Sequence, residues 1–425
     1  MRPTLILFYL LTATAFAQSP DAPQTVSPAE REAHWKQDLQ TLSAGLKAPG
    51  IRIAGGIATR GQKDFPEVYP NFDADLASIT EAIPKLTDAE IFLRLMKLIA
   101  SAHIGHNTIQ LPTGMGFLNR LPVDFHWFSD GLAVSAATSD YTALLGARVL
   151  SIGGRKPEQF LDDVTPYLSF ENDTERHAES TNLMTARGVL LHFGMIGPDG
   201  NVSLQLEKAS GESVTVSLPL VDRRAQRIGI SEGLHIPAVL YRSHPNSWYW
   251  SEYLPDSQTL FIQYNRCQND SSHHFADVSK QALADADSHT VKRVVIDLRF
   301  NGGGDSSVIN PLKSGLASRL KSLGRIYVLI GPDTFSSGVQ NAEELHKDLS
   351  ATLVGEATGG MPGGYGEVGL LTLPNSKLVV RFTTKHFGPK DGGINTLKPD
   401  IPVPVRLADF IAGHDPAFEA AIAAQ

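Results

Sequence analysis

Four runs in the C-terminal part of the chain, TLFIQY (259–264), RVVIDLRF (293–300), RIYVLI (325–330) and ATLVG (351–355), are apolar and rich in β-branched residues with almost no polar interruption. A strand of that kind has to be covered on both faces, which is the condition of a parallel sheet flanked by helices. The segments between the runs are helix-like, so this part predicts an α/β core with right-handed crossovers. The stretch LLTLPNSKLVVRFTT (370–384), with Pro374, Asn375 and Ser376 in its middle, reads as a β-hairpin.

The N-terminal part has a different pattern. Ser27, Pro28 and Glu30 form a capping box with proline at the first helical position, and Trp35, Leu39, Leu42 and Leu46 follow on one helical stripe. A second box, Thr87 to Glu90, opens a helix carrying Ile91, Leu95, Leu98 and Ile99. Between about 121 and 220, short alternating apolar runs broken by Gly, Asn and Asp predict strands and turns. Within them, LLGARVLSIGG (144–154) followed by the helix-like KPEQFLDDV resembles the strand and helix of a PDZ-like module. The expected division is a helical region at 27–117, a small β-rich, PDZ-like region at 118–235 and a core at 236–425, a size that suits several domains.

Residues 1–17 read as a secretory signal. Arg2 precedes an apolar stretch from Leu5 to Leu11, and small residues at Ala15 and Ala17 suit cleavage before Gln18. The expected location is therefore periplasmic or secreted, without stable membrane insertion after cleavage. With 37 basic against 45 acidic residues, a net charge of −8 and no long run of either sign, nucleic acid is not an expected partner. The single cysteine, Cys267, excludes an intramolecular disulfide, and its place at the end of an apolar run suits a buried thiol.

The chemistry is expected where the strands end. VVIDLRFNGGG (294–304) releases a buried strand into three glycines, whose backbone can approach a ligand closely and offer N–H donors to a developing oxyanion. Gly302 and Gly303 are the candidates. After RIYVLI, the residues GPDTFSSGVQNAEEL place Ser336 and Ser337 at the mouth of a helix, where one serine could attack while the next supplies its N–H, or where either could simply cap the helix. A serine needs a base, and His103 and His106 stand out because they leave the Ile91–Ile99 helix for a polar turn. Their spacing lacks a third ligand or a glutamate for zinc, so neither a metal nor an organic cofactor is expected.

VIDLRFNGGG, TFSSG, GEATGGMPGGYGE, LPNSKLVV and LKPDIPV occur in that order between residues 295 and 403, and GHNT lies at 105–108. Together these segments resemble the tail-specific, or C-terminal processing, serine peptidase family. The resemblance implies a crotonase-like or ClpP-like ββα core with an N-terminal helical region and a PDZ-like domain. It also implies Ser336 as nucleophile, Ser337 and Gly302 as backbone oxyanion donors and His106 as the histidine of a tricorn-like branch. The lysine of the Ser-Lys branch is replaced by Met361, and the glutamate of the tricorn-like branch is missing from GINTLKPD. An orienting carboxylate is expected from Glu356 first, or from Asp391 or Glu367, with Asp297 and the amide of Asn341 as alternative orienting groups. The activity implied is hydrolysis of peptides or unfolded protein. The alternative is a non-catalytic protein of the same fold that binds an apolar ligand or a peptide.

Overall fold

The computed structural model describes residues 26–48, 61–112, 114–388 and 395–424, together with the backbone of the short strands at 52–54 and 57–59. The expected signal segment and Asp391 lie outside the described residues. The first helix, α1 (Pro28–Leu46), begins at Ser27, whose hydroxyl accepts from the Glu30 N–H, and it buries Trp35, Leu39, Leu42 and Leu46. α2 (Phe72–Ala82) follows. α3 (Asp88–Ala100) starts with the full Thr87–Glu90 capping box. It buries Ile91, Leu95, Leu98 and Ile99, the stripe that its period of 3.6 predicts.

A two-residue strand, β1 (Thr108–Ile109), leads from the helices into a six-stranded antiparallel sheet. That sheet comprises β2 (Val123–Phe128), β3 (Gly131–Ala137), β4 (Arg148–Ile152), β5 (Val202–Glu207), β6 (Ser213–Leu218) and the short β7 (Ile228–Gly229). Its order is β7-β3-β4-β5-β6, with β2 also paired to β3. α4 (Pro157–Val164) packs on it through Phe160, Leu161 and Val164. A further helix, α5 (Asp173–Thr185), stands where strands and turns were expected. Its sequence, DTERHAESTNLMT, is too polar to show an apolar stripe, and its start is fixed by the Asn172 side chain, which accepts from the Glu175 N–H at 3.0 Å.

The core sheet runs β8 (Tyr249–Leu254), β9 (Thr259–Tyr264), β10 (Arg293–Asp297), β11 (Arg325–Ile330), β12 (Thr352–Gly355) and β15 (Ile401–Pro402). Only the β8–β9 pair is antiparallel. Helices α6 (Phe275–Ser288), α7 (Asn310–Ala317) and α8 (Ser337–Leu349) connect the parallel strands. They cover one face, where Leu260, Ile262, Val294, Ile296, Val328 and Ile330 lie. The alternate residues Phe261, Val295, Tyr327 and Leu329 point to the other face, under the C-terminal helix α9 (Pro416–Ala423). Burial on both sides is what the uninterrupted apolar runs require.

The hairpin formed by β13 (Gly364–Thr372) and β14 (Val379–Phe387) leaves this core and continues pairing with β1. Its turn is held by α1, because buried Asp38 accepts from the N–H groups of Asn375 and Ser376 at 2.8 Å each. The helical region and the core thus share one sheet. Among the described residues, no helix is long and apolar enough to cross a membrane.

Candidate active site

The site is built where β10 and β11 end. After β10, the polyglycine bend is organised by Asn301, which is fully buried. Its amide donates to Tyr264 O at 2.8 Å, its Oδ1 accepts from the Gly303 N–H at 3.0 Å, and its carbonyl accepts from the Phe335 N–H at 2.9 Å. Asn301 therefore ties the glycine bend to the turn that carries the serines. Gly303, at φ +97°, has to be glycine, because a Cβ there would lie 2.7 Å from Ser336 Cβ and 2.9 Å from Ser337 N. Ser337 Oγ closes the assembly by donating to Gly304 O at 2.7 Å.

Ser336 occupies the N-cap position of α8 but does not cap it; no hydrogen bond from its side chain to the helix is made. Its backbone is at φ 51°, ψ −126°. For a residue with a Cβ this is a strained conformation costing on the order of 1–3 kcal/mol, and such strain gathers at functional turns. The hydroxyl instead meets His106, with Oγ 3.0 Å from Nε2 across 230 residues of sequence. The next residue, Ser337, opens α8, so its N–H is one of the helix donors that have no intrahelical acceptor.

His106 is held on both sides. Its ring stacks at a tilt on Phe335, with centroids 4.6 Å apart. Asn107, fully buried, fixes the loop by donating to Gln62 Oε1 at 2.9 Å and to the Tyr69 hydroxyl at 3.1 Å, while its Oδ1 accepts from the Thr383 N–H of β14 at 2.9 Å. The second ring nitrogen, Nδ1, is buried without a hydrogen bond and stands 3.4 Å from Glu171 Oε1. Glu171 is almost wholly buried, its side chain 4% exposed, and its other oxygen accepts from the Met361 N–H at 3.0 Å.

Glu171 was not among the expected acids. It lies just before α5 in SFENDTE, and the local sequence shows only a helix start at Asn172. What brings it to His106 is tertiary docking, because the Asn172 amide donates to Thr358 O, Gly359 O and Asn395 O at 2.8–3.1 Å and so seats the segment on the core. Glu175, one turn further on, is buried beside Glu171. Its carboxyl is pushed up to about 9 by burial and by the Glu171 charge.

The expected orienting residues within the described residues have other partners. Glu356, ranked first from the sequence because it follows a buried strand, turns away from His106 and accepts from the Val405 N–H at 3.2 Å. It lines a separate cavity of about 670 Å³ with His126 and Asp333, and burial raises its carboxyl above the ordinary range. Asp297 pairs with Arg299 at 2.6 Å, and Arg299 also meets Asp415 at 2.7 Å. The Asn341 amide donates to Ser306 O. Glu367 stands on the rim of the serine cavity, 3.6 Å from Lys385.

The cavity over Ser336 measures about 240 Å³ and is lined by His106, Ser337, Met361, Tyr365 and Phe387 among others. Gly304 is the member of the polyglycine bend in that wall; Gly302 is not. The Gly303 N–H is already committed to Asn301. His103 stays outside the cavity, edge-on to Phe170 at 6.1 Å between centroids. Cys267 is buried between Asn301 and Asn341, its sulfur 3.2 Å from each Oδ1, and burial pushes its thiol up to about 11. Among the described residues no cluster of three His, Cys, Asp or Glu could hold a metal ion.

Residues 312–403, which include Ser336, match the family model of peptidase family S41. No curated protein matches the chain by sequence. Among solved structures, mature CPAF superposes with a TM-score of 0.62 at 13% identity, over 91% of this chain and 96% of that chain. Mature CPAF complexed with lactacystin gives 0.60 at 13% identity, over 90% and 96%. The chain shares their fold, a mixed α/β arrangement of helices and several sheets.

Proposed function

We propose that the protein is a serine peptidase in which His106 Nε2 removes the proton from Ser336 Oγ and the oxygen attacks a peptide carbonyl. The observation that carries this reading is the 3.0 Å contact between Oγ and Nε2, made across 230 residues of sequence. The Ser337 N–H at the positive end of α8 is one donor to the tetrahedral oxyanion, and the bend Gly302–Gly304 supplies the second. Glu171 fills the place of the orienting acid, holding the imidazole so that Nε2 faces the serine and stabilising the imidazolium that forms. His106 then returns the proton to the leaving amine, and water releases the acyl-enzyme.

The contact of Ser336 with His106 supports a histidine-based, tricorn-like branch of the tail-specific peptidases. The parallel strands with their helices support a crotonase-like or ClpP-like core, and the antiparallel sheet with α4 supports a PDZ-like region spanning 118–235. Export rests on the reading of residues 1–17. The match of Ser336's surroundings to peptidase family S41 supports peptides or unfolded proteins as substrates.

A fluorophosphonate probe should label the wild-type protein at Ser336 and leave Ser336→Ala unlabelled, with hydrolysis of a casein or peptide library following the same pattern. Folded wild-type protein that takes no probe and cleaves nothing would favour a binding protein on this fold and sink the assignment.

A further inference from the structure

The loop that carries the imidazole and the segment that carries Glu171 meet at three successive points. His103 packs edge-on against Phe170, Gly105 lies against the Glu175 carboxyl, and His106 faces Glu171. The middle contact leaves no room for a side chain: a methyl group at position 105 would overlap both oxygens of Glu175. Glu175 Oε2 also accepts from the Glu171 N–H at 2.6 Å. One carboxyl therefore touches the residue before His106 and the backbone of Glu171 itself.

We propose that Glu175 is a positioning residue, a buried strut in the space left open by Gly105 that sets the approach of Glu171 to His106. This rests on the serine peptidase reading above. The titratable groups around the strut are Glu171 on its own segment and Glu179 one turn along α5, whose charges both raise its carboxyl, with the imidazoles of His103 and His106 on the loop; the facing stretch Thr358–Met361 contributes none. With two carboxylates near it and little water, Glu175 holds its proton up to about pH 9. A neutral Glu175 can stand beside the Glu171 carboxyl without driving it away, whereas an ionised one would push Glu171 out of reach of the ring.

The sign of the linkage follows from the raised value. The folded state keeps a proton that the unfolded state gives up near the ordinary 4.5, so folding weakens as pH rises between 4.5 and about 9. This one group lowers the folding equilibrium constant by up to about tenfold per pH unit in that window. Glu175→Gln, which keeps an oxygen acceptor and cannot ionise, should flatten that slope.

The test is the rate of fluorophosphonate labelling of Ser336 in the full chain, with thermal melts from pH 5 to 9 on the same samples. Glu175→Ala and Gly105→Ala should each slow labelling by about 10–100-fold, and Glu175→Gln should restore most of what alanine loses. Wild-type melting temperature should fall toward pH 9 more steeply than that of Glu175→Gln. Equal labelling rates for wild type and a folded Glu175→Ala would overturn this proposal alone, as would identical pH slopes for wild type and Glu175→Gln. A wild type that takes no probe would overturn it together with the serine peptidase reading.

Discussion

The half of the site proposed to supply the nucleophile and the half proposed to supply the base and acid are built on different physical terms. Ser336, Ser337 and the glycine bend belong to adjacent strand ends of one parallel sheet, joined by short backbone and Asn301 hydrogen bonds inside a single packed core. His106 and Glu171 come from a loop after α3 and from the start of α5, and they reach the serine only because separate regions dock. Asn107 pins the loop to β14, and Asn172 pins the Glu171 segment to Thr358, Gly359 and Asn395. The proposed nucleophile is thus positioned within one packed core, while its proposed proton acceptor depends on the docking of separate regions.

The contrast can be broken by substitution. If both halves are needed for chemistry, Ser336→Ala and His106→Ala should each cost on the order of 10⁴-fold or more in kcat, and the double variant should cost little beyond either. Additive losses in steady-state hydrolysis would show that the two groups do not act as a unit. Glu171→Gln removes only the orienting charge, so a loss of roughly 10²–10⁴ in kcat with a nearly constant KM is expected. Retention of full kcat would return the search for the orienting acid to the remaining carboxylates.

Asn107→Ala should affect both stability and rate. It removes one of two acceptors of the Thr383 N–H and the donor to Gln62 Oε1 and the Tyr69 hydroxyl, a loss of buried hydrogen bonds costing about 1–3 kcal/mol, and frees the loop that carries His106. Urea unfolding and kcat should shift together; lost stability with unchanged kcat would mean the imidazole is seated by other contacts. The smallest effect should come from Glu356→Gln, which should change kcat by less than about threefold because its carboxyl faces a different cavity. Since burial raises the Glu356 carboxyl in the folded state, its ionisation opposes folding as pH climbs from the ordinary glutamate range through the folded value. The Gln variant should therefore lose less stability than wild type over that climb, read by melts at successive pH values.

The same contrast explains how much could be read from sequence. β9, β10, β11 and β12 were legible because burial on both faces forces unbroken apolar runs, and the hairpin was legible from Pro374-Asn375-Ser376. Ser336 and His106 stood out through local features, a helix mouth after a strand and a polar turn after a capped helix. Glu171 was not legible. Its helix is polar enough to be passed over as turns, and its distance from His106 is set by hydrogen bonds to backbone carbonyls that any residue type offers. Glu356 drew attention for the opposite reason: a strand-end acid is conspicuous in sequence, yet the Val405 N–H and its own cavity account for it.

The left-handed backbone of Ser336 has one more implication. Glycine would sit there without the Cβ penalty, so a Ser336→Gly chain should be as robust as the wild type or slightly more so while having no hydroxyl to offer. Selection for heat resistance alone would not defend serine at this turn. If Ser336 is the nucleophile proposed above, its presence marks a place where durability has been surrendered for reactivity.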